Sequence, residues 1–183
     1  MKVLPTPLPG VVVVESVPFI DQRGSFLRLF CRHELADILG ERNIAQINHS
    51  RATRAGTIRG LHFQSPPRAE MKLVRCVAGR VLDVAVDLRA DSPTFLRWHG
   101  EELTPENARM LVIPEGFAHG FQTLEDCSEL LYLHTEFHAP ELEGGVRFDD
   151  DTLAIAWPLP VSELSLRDRN LPPLAPGFGG IPA

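Results

Sequence analysis

The chain has 183 residues, 44% of them hydrophobic and 23% charged, which suffices for one domain with a core and argues against disorder. Its 24 acidic side chains outnumber 18 basic ones, for a net charge of −6. This excludes a general nucleic-acid or anionic-membrane binder, because either would need a basic surface. No apolar run approaches the roughly 20 residues that span a bilayer.

Strand signals dominate the chain. Runs of β-branched and aromatic residues are bounded by glycine and proline, which is typical of an all-β sandwich or barrel. We predict strands at 11–14, 26–30, 45–50, 56–64, 71–77, 79–88, 98–103, 110–113, 119–124 and 130–137. One short helix is expected near 32–39, ended by Gly40. Prolines are frequent from Pro158 onward, so we expect 158–183 to be an irregular segment wrapped over a single domain, 1–183.

The chain start and the cysteines bear on location. The first ten residues hold three prolines and no apolar segment of signal-peptide length, so we expect no export. Cys31, Cys76 and Cys127 are widely spaced and form no CxxC motif. They are typical of reduced thiols, and we expect a cytoplasmic protein.

The predicted strand 81–88 carries an unusual alternation. Its even positions are Leu, Val, Val and Leu, whereas Asp83 and Asp87 lie on the opposite face. Such a face is either a solvated exterior or the wall of a polar lumen. Other strands also place hydrogen-bonding side chains on one face: Gln46, Asn48 and Ser50; His62 and Gln64; His119, Phe121 and Thr123; Tyr132 and His134. These favour a barrel with a polar, ligand-sized lumen.

Two segments resemble the motifs of cupin barrels. Pro114 to His119 has the form PxGxxH, which resembles the second cupin motif, and the segment from Gly56 to His62 resembles the first. The first motif normally has another histidine two residues after the first, where this chain has Gln64. An amide is a poor ligand for a transition metal. We therefore predict no metal site, although Glu70 remains as a further donor.

A longer set of residues identifies a family. Arg59-Gly60-Leu61-His62-Phe63-Gln64, followed by Gly116-Phe117-Ala118-His119-Gly120-Phe121, resembles the dTDP-4-dehydrorhamnose 3,5-epimerases. The resemblance continues over roughly 3–170. It implies an all-β, cupin-like jelly-roll barrel with short peripheral helices. It also implies an enzyme without metal or cofactor that inverts the carbons beside the ketone of a nucleotide-diphosphate sugar.

The resemblance also implies catalytic roles. It makes His62 the base, Asp168 the carboxylate that orients its ring, Tyr132 the acid on the opposite face, and Lys72 the cation beside the enolate oxygen. Taken alone, Asp168 is typical of an exposed charge, Lys72 of a sheet edge and Tyr132 of packing. Tyr132 is, however, the chain's one tyrosine, against ten phenylalanines.

Substrate-binding roles follow in the same way. The resemblance assigns Arg23, Arg59, His119, Gln46 and Asn48 to the diphosphate or the sugar. At the nucleotide end it assigns Glu143, as in the family, and three positions where this chain departs from it: Arg28 replaces an acidic residue, His138 a tyrosine and Arg167 a lysine. The departures leave the nucleotide open, as well as epimerisation at one carbon.

One geometric requirement comes from the residues themselves. Arg59 and His62 are three positions apart, so an ideal strand would turn them to opposite faces. Both can face the lumen only if the strand bulges near Gly60.

Assembly and competing functions complete the expectations. The run Val11 to Val14 is unusually apolar for an exposed edge, and the resemblance suggests a homodimer in which it pairs with the partner's sheet. The alternatives are an epimerase that inverts one carbon or acts on another nucleotide's 4-keto sugar, a cupin that only binds a sugar nucleotide, and a metal-dependent cupin oxygenase or isomerase.

Overall fold

This computed structural model describes residues 1–182, and all its strands but two, which form a separate hairpin, belong to two sheets that face each other. The strands are β1 (Lys2–Pro5), β2 (Val12–Glu15), β3 (Phe19–Asp21), β4 (Gly24–Phe26), β5 (Gln46–Ala52), β6 (Thr57–Gln64), β7 (Lys72–Ala78), β8 (Val81–Asp87), β9 (Trp98–Leu103), β10 (Arg109–Ile113), β11 (Phe117–Thr123), β12 (Ser128–His134), β13 (Glu143–Gly145) and β14 (Glu163–Leu164). The helices are the short α1 (Ala36–Leu39) and α2 (Leu166–Arg169) and a 3₁₀ turn at Pro140–Leu142.

The first sheet has the order β1-β2-β10-β7-β12-β5, and the second has the order β13-β6-β11-β8-β9. All these neighbours are antiparallel, and β14 adds to β6 in parallel. The result is a cupin-like jelly roll, as predicted. No helix among residues 1–182 is both long and apolar enough to cross a membrane.

Strand β8 has no solvated face. Its even positions pack against Leu153 and Ile155 and against Ile181 of the C-terminal segment. Its odd positions face the space between the sheets, where Val81 and Ala85 join Phe121 in the core. The two aspartates on that inner face are fully buried. The polar face of this strand therefore lines the interior, as the other polar faces indicated.

The inner face of β8 ends at a buried carboxylate that fixes the following turn. Asp87 accepts hydrogen bonds from Arg89, Ser92 and Thr94, at 2.5 to 2.9 Å. Burial acts to raise the pKa of Asp87, but these donors outweigh burial and lower the pKa to about 2. Asp87 is consequently ionised wherever the protein is folded near neutral pH.

Three expectations about elements are wrong. The run Val11 to Val14 is not an exposed edge, because β2 lies between β1 and β10. The predicted strand 26–30 ends at Phe26, since β4 pairs only with β3 in a two-stranded hairpin and has no further neighbour. The predicted helix 32–39 is helical only at its end, from Ala36.

The C-terminal segment is mostly irregular, but it is anchored. It contributes β14 along β6 and the single turn of α2, where the Ser165 hydroxyl accepts a hydrogen bond from the Asp168 N–H at 3.0 Å. Gln122 fastens the same segment through its amide, which donates to the Leu159 carbonyl at 2.7 Å and accepts from the Leu159 N–H at 2.9 Å. The segment thereby carries Asp168 alongside β6, at the edge of that strand that does not pair with β11.

Candidate active site

A cavity of about 520 Å³ opens between the two sheets. Nine residues predicted for the site line it: Gln46, Asn48, Arg59, His62, Lys72, His119, Tyr132, His138 and Glu143. Strands of both sheets contribute to it, since β5, β7 and β12 belong to one and β6 and β11 to the other. A ligand in this cavity is therefore held between two opposed walls.

His62 and Asp168 form a partly buried pair across 106 residues of sequence. The Nε2 atom of His62 lies 2.6 Å from Oδ1 of Asp168, whose side chain is only 4% exposed. Its Oδ2 accepts a hydrogen bond from the Gly60 N–H at 3.3 Å. Burial acts to raise the pKa of Asp168, but these hydrogen bonds hold it below its ordinary value. The carboxylate is therefore ionised and keeps Nε2 occupied, which leaves Nδ1 of His62 for the cavity.

The predicted bulge in β6 is present. His62 pairs with His119 and Arg59 pairs with Phe121, so two residues of β6 lie opposite Gly120 alone. Gly60 has φ +127°, and a Cβ there would lie 2.6 Å from the Gly120 Cα. Only glycine fits this contact, and the bulge turns both Arg59 and His62 towards the cavity.

A second histidine–aspartate pair lies deeper in the barrel. Nε2 of His119 is 2.7 Å from Oδ1 of Asp83, and the Asp83 side chain is fully buried. The His119 ring packs edge-on against Tyr132, with ring centroids 6.0 Å apart. These contacts fix the orientation of the His119 ring at the cavity wall.

Tyr132 faces the cavity from β12, in the sheet opposite His62. Its hydroxyl lies 3.1 Å from the Ser50 hydroxyl, and its ring stacks on His134 with centroids 6.1 Å apart. Burial raises the pKa of the Tyr132 phenol. The hydroxyl therefore keeps its proton at neutral pH and is available as a donor.

Lys72 begins β7 on the same wall as Tyr132. Its side chain is 11% exposed, and its Nζ lies 3.2 Å from Oε1 of Glu70. The other oxygen of Glu70 lies 2.7 Å from Nδ1 of His134. The ammonium group is thus buried at the cavity wall and held by a carboxylate.

An ion triad stands at the cavity mouth. Glu143 contacts His138 Nε2 at 3.1 Å and Arg167 at 2.7 Å through different oxygens. Burial acts to raise the pKa of Glu143, but Arg167 and His138 hold it below its ordinary value. The histidine and the arginine are both more than half exposed, so they form a polar rim that reaches the solvent.

Two residues predicted to bind the substrate lie away from the cavity of their own chain. Arg23 is on the β3–β4 hairpin and pairs with Asp21, and Arg28 follows the hairpin and pairs with Glu34. Neither lines the cavity. Asp168 and Arg167 do not line it either, but they contact His62 and Glu143, which do.

The cavity also contains residues that we did not assign to the site: His49, Ser50, Glu70, Phe121 and His134. A sequence signal existed for four of them. Ser50, Phe121 and His134 lie on the strand faces that we expected to line the lumen, and Glu70 lies two positions before Lys72.

Gln64, which stands where a cupin has a metal-ligating histidine, is bonded to the backbone. Its amide group donates to the Phe137 carbonyl at 3.1 Å and to the Arg68 carbonyl, and its oxygen accepts from the Ala139 N–H at 2.9 Å. Both ends of the amide are therefore engaged in holding two loops, and the side chain is buried.

Fold and site together define a cupin-type barrel equipped for acid–base chemistry, with a histidine–carboxylate pair facing a tyrosine hydroxyl and a buried ammonium group. Comparison with known proteins identifies the family. The family model described as dTDP-4-dehydrorhamnose 3,5-epimerase matches residues 5–176, and the chain belongs to this family.

Relatives agree over nearly the whole length. The chain is 43% identical over 174 residues to the dTDP-4-dehydrorhamnose 3,5-epimerase of Salmonella typhimurium, covering 94% of each. It superposes with a TM-score of 0.92 on the Legionella pneumophila 3,5-epimerase solved with dTDP-4-keto-L-rhamnose, at 36% identity over 100% of this chain and 98% of the other. A 3′-monoepimerase of Streptomyces bikiniensis, solved with dTDP-quinovose, superposes with a TM-score of 0.86 at 34% identity, over 92% and 86%.

Proposed function

We propose that this enzyme inverts C3 and C5 of a dTDP-4-keto-6-deoxyhexose, in the step of deoxysugar biosynthesis that yields a dTDP-4-dehydrorhamnose. The observation that carries the proposal is the placement of His62 and Tyr132 on opposite sheets across one cavity. Inversion requires a proton to leave one face of a carbon and another to arrive on the opposite face. A base and an acid on facing walls meet that requirement.

His62 removes the proton. Because Asp168 engages Nε2, the lone pair on Nδ1 faces the substrate and takes the proton from C3 or C5. The C–H electron pair moves into a carbon–carbon double bond with C4, and the ketone oxygen becomes an enolate. The ionised Asp168 stabilises the imidazolium that results, and solvent removes the proton afterwards.

Lys72 stabilises the enolate. A ketone acidifies the neighbouring C–H bonds too weakly for rapid exchange, so the enolate oxygen needs a positive charge or donors. The buried ammonium group of Lys72 lies on the cavity wall and is shielded from water, where its charge acts more strongly than at the surface.

Tyr132 returns a proton. Its phenol retains the proton because burial raises the pKa, and it stands opposite His62. When the electron pair of the enolate returns to carbon, that carbon takes the phenolic proton from the face opposite the base. The Ser50 hydroxyl, 3.1 Å away, then links the phenolate to solvent for reprotonation.

The remaining polar residues hold the nucleotide diphosphate. Arg59 lies beside the base with a guanidinium group suited to a phosphate, and His119, Gln46 and Asn48 offer further polar contacts on the cavity walls. The rim formed by His138 and Arg167 lies at the cavity mouth, where we expect the nucleotide end of the substrate.

A homodimer completes the proposal, although not through the strand first expected. The β3–β4 hairpin exposes Phe19, Ile20 and Phe26, each at least 65% accessible, and the first sheet has an unpaired edge at β5 beside the cavity. In the dimer the hairpin covers this edge of the partner, which brings Arg23 and Arg28 to the partner's cavity mouth. Light scattering at micromolar concentration is expected to give twice the chain mass, and Ile20→Asp is expected to give a monomer. A monomeric wild type contradicts the dimer.

The test of the function is incubation with dTDP-4-keto-6-deoxyglucose in deuterated water. Wild-type enzyme is expected to incorporate deuterium at both C3 and C5 with inversion. His62→Ala is expected to lose incorporation by a factor on the order of 10² to 10⁴. Tyr132→Phe keeps the ring, so incorporation on the face of His62 persists while inversion falls. Full incorporation by His62→Ala contradicts the mechanism.

The similarity to the Streptomyces bikiniensis 3′-monoepimerase supports a second candidate, inversion of C3 alone. The same incubation separates the two, because a monoepimerase leaves the configuration at C5 unchanged. A cupin that only binds the sugar nucleotide incorporates no deuterium at either carbon. An epimerase specific for another nucleotide prefers the same sugar attached to a different nucleobase. Competition of the other nucleoside diphosphates with the dTDP-sugar measures that preference.

A further inference from the structure

A hydrogen-bonded chain of four side chains runs along the first sheet at the cavity wall. It begins at Asn48 on β5, whose amide lies 3.3 Å from Nε2 of His134. Nδ1 of His134 lies 2.7 Å from one oxygen of Glu70, and the other oxygen of Glu70 lies 3.2 Å from Nζ of Lys72. The chain thus connects three points of the sheet and ends at the ammonium group.

Three of the four side chains in this chain of contacts are almost completely buried, so their charges need partners within the protein. The side chains of Glu70, Lys72 and His134 are only 10 to 11% exposed. Burial acts to raise the pKa of Glu70, but His134 and Lys72 hold it below its ordinary value, so the carboxylate is charged. A buried charge of this kind is stable only when its lone pairs are satisfied, and here each oxygen has one partner.

The ammonium group of Lys72 needs such a partner to stay in one place. Lysine carries its charge on a flexible four-carbon stem with three rotatable donors, so it has no preferred direction by itself. Glu70 in turn cannot rotate freely, because its second oxygen is held by His134, whose ring stacks on Tyr132. The position of the charge is therefore set by the whole chain of contacts.

We propose that Glu70 is a positioning residue that, braced by His134, fixes the Lys72 ammonium group where the enolate oxygen develops. The inference rests on the proposed function, in which Lys72 stabilises the enolate. Glu70 itself does not touch the reacting atoms. Its contribution belongs to the transition state and so affects kcat more than KM.

Two conservative variants separate position from charge. Glu70→Asp keeps the charge but shortens the side chain by one methylene, so one carboxylate cannot reach both partners. Glu70→Gln loses the charge but keeps the reach: its oxygen accepts from Lys72, and its amide donates to Nδ1 of His134. His134 then carries its proton on Nε2 and donates it to Oδ1 of Asn48, once the Asn48 amide turns its oxygen towards the ring. We expect Glu70→Asp to lower kcat about tenfold with KM within about twofold, and Glu70→Gln to stay within about threefold of wild type.

A double-mutant cycle tests whether Glu70 acts through Lys72. Loss of a donor to a developing oxyanion typically costs a factor of about 10² to 10³, which we expect for Lys72→Ala. Adding Glu70→Asp to Lys72→Ala is then expected to change kcat no further. The matched control is Glu101 on β9, which bridges His99 at 3.3 Å and Arg109 at 2.8 Å outside the cavity. Glu101→Asp is expected to keep wild-type kcat.

A measurement without turnover keeps the two proposals distinct. The chain has two lysines, Lys72 and the exposed Lys2, so the ¹⁵N spectrum of lysine ammonium groups contains two signals, one of them an internal reference. We expect the Lys72 signal to be slow in exchange in wild type and Glu70→Gln, and to broaden in Glu70→Asp. An unchanged Lys72 signal in Glu70→Asp, wild-type kcat in that variant, or additive losses in the cycle would overturn the positioning role. Failure of the proposed function is seen separately, as absence of deuterium incorporation by wild-type enzyme.

Discussion

Replacement of Asp168 by asparagine is expected to abolish the action of His62 as a base although the His62 ring itself is unchanged. The substitution is nearly isosteric, and its oxygen can still accept the Gly60 N–H that Oδ2 accepts at 3.3 Å. In the wild type, Nε2 of His62 lies 2.6 Å from Oδ1 of Asp168. In the variant, the amide nitrogen takes the place of Oδ1 and faces Nε2. Because an amide nitrogen only donates, Nε2 must accept, and the ring proton moves to Nδ1. The lone pair that faces the substrate is lost.

The size of the effect follows from this tautomer exchange. Since Nδ1 carries a proton in the variant, general-base catalysis is lost. The rate of deuterium incorporation at C3 and C5 is therefore expected to fall by a factor on the order of 10² to 10⁴. Binding of dTDP is expected to change little, because Asp168 lies behind His62 and not on the cavity wall. The charge of Asp168 matters in addition, since the imidazolium would lack its counter-ion.

The assay pairs incorporation with a ¹⁵N spectrum of the histidine rings, in which protonated and unprotonated ring nitrogens have different shifts. His62→Asn identifies the His62 signals. The control is Asp151→Asn, an exposed carboxylate that does not line the cavity, which is expected to behave as wild type. Wild-type incorporation by Asp168→Asn, with the proton demonstrably on Nδ1, would refute the assignment of His62 as the base.

Three further predictions concern the framework of the site. Gly60→Ala is expected to lower the melting temperature and to abolish incorporation, because its Cβ would lie 2.6 Å from the Gly120 Cα at a φ of +127°; a folded, active variant contradicts this. The pKa of Asp87 is lowered to about 2 from 3.8, so its contribution to stability is present above pH 4 and lost as the pH falls to 2. Urea unfolding at pH 4 and pH 2 is therefore expected to show that the advantage of wild type over Asp87→Asn shrinks by about 2 kcal/mol, and an advantage independent of pH contradicts it. Dialysis against a strong chelator is expected to leave incorporation within about twofold, because Gln64 is engaged with the backbone; loss restored by iron or manganese contradicts this.

Sequence reasoning succeeded where period-two alternation was long. The alternation in β8 placed Asp83 opposite the aliphatic residues, and the polar faces of the other strands indicated that this face lines the interior. The three-residue spacing of Arg59 and His62 correctly required a bulge at Gly60. These inferences use only the geometry of a strand, which the local sequence determines. The same logic reaches Glu70 and His134, because each lies two positions from a residue that was assigned to the site.

Where pairing partners decide the outcome, local sequence was insufficient. The run Val11 to Val14 has the composition of a buried strand, but only β1, a segment bordered by prolines, covers its outer side. Phe26 to Phe30 has the composition of a strand, yet it lacks a neighbour beyond Phe26. Strand identity depends on a ladder partner distant in sequence, so a suitable run alone cannot establish it.

The pair of His62 and Asp168 shows why a site of this kind depends on the whole fold. The leucines, prolines, serines and charged residues around Asp168 in sequence follow no regular pattern that indicates its burial. Asp168 reaches His62 only because the C-terminal segment follows β6, where the Gly60 N–H at the bulge meets one of its oxygens. The bulge that turns His62 into the cavity is thus the same feature that receives the carboxylate behind it. In the proposed mechanism, His62 on this wall and Tyr132 on the opposite wall act on the two faces of a sugar held between them, which is the condition for inversion.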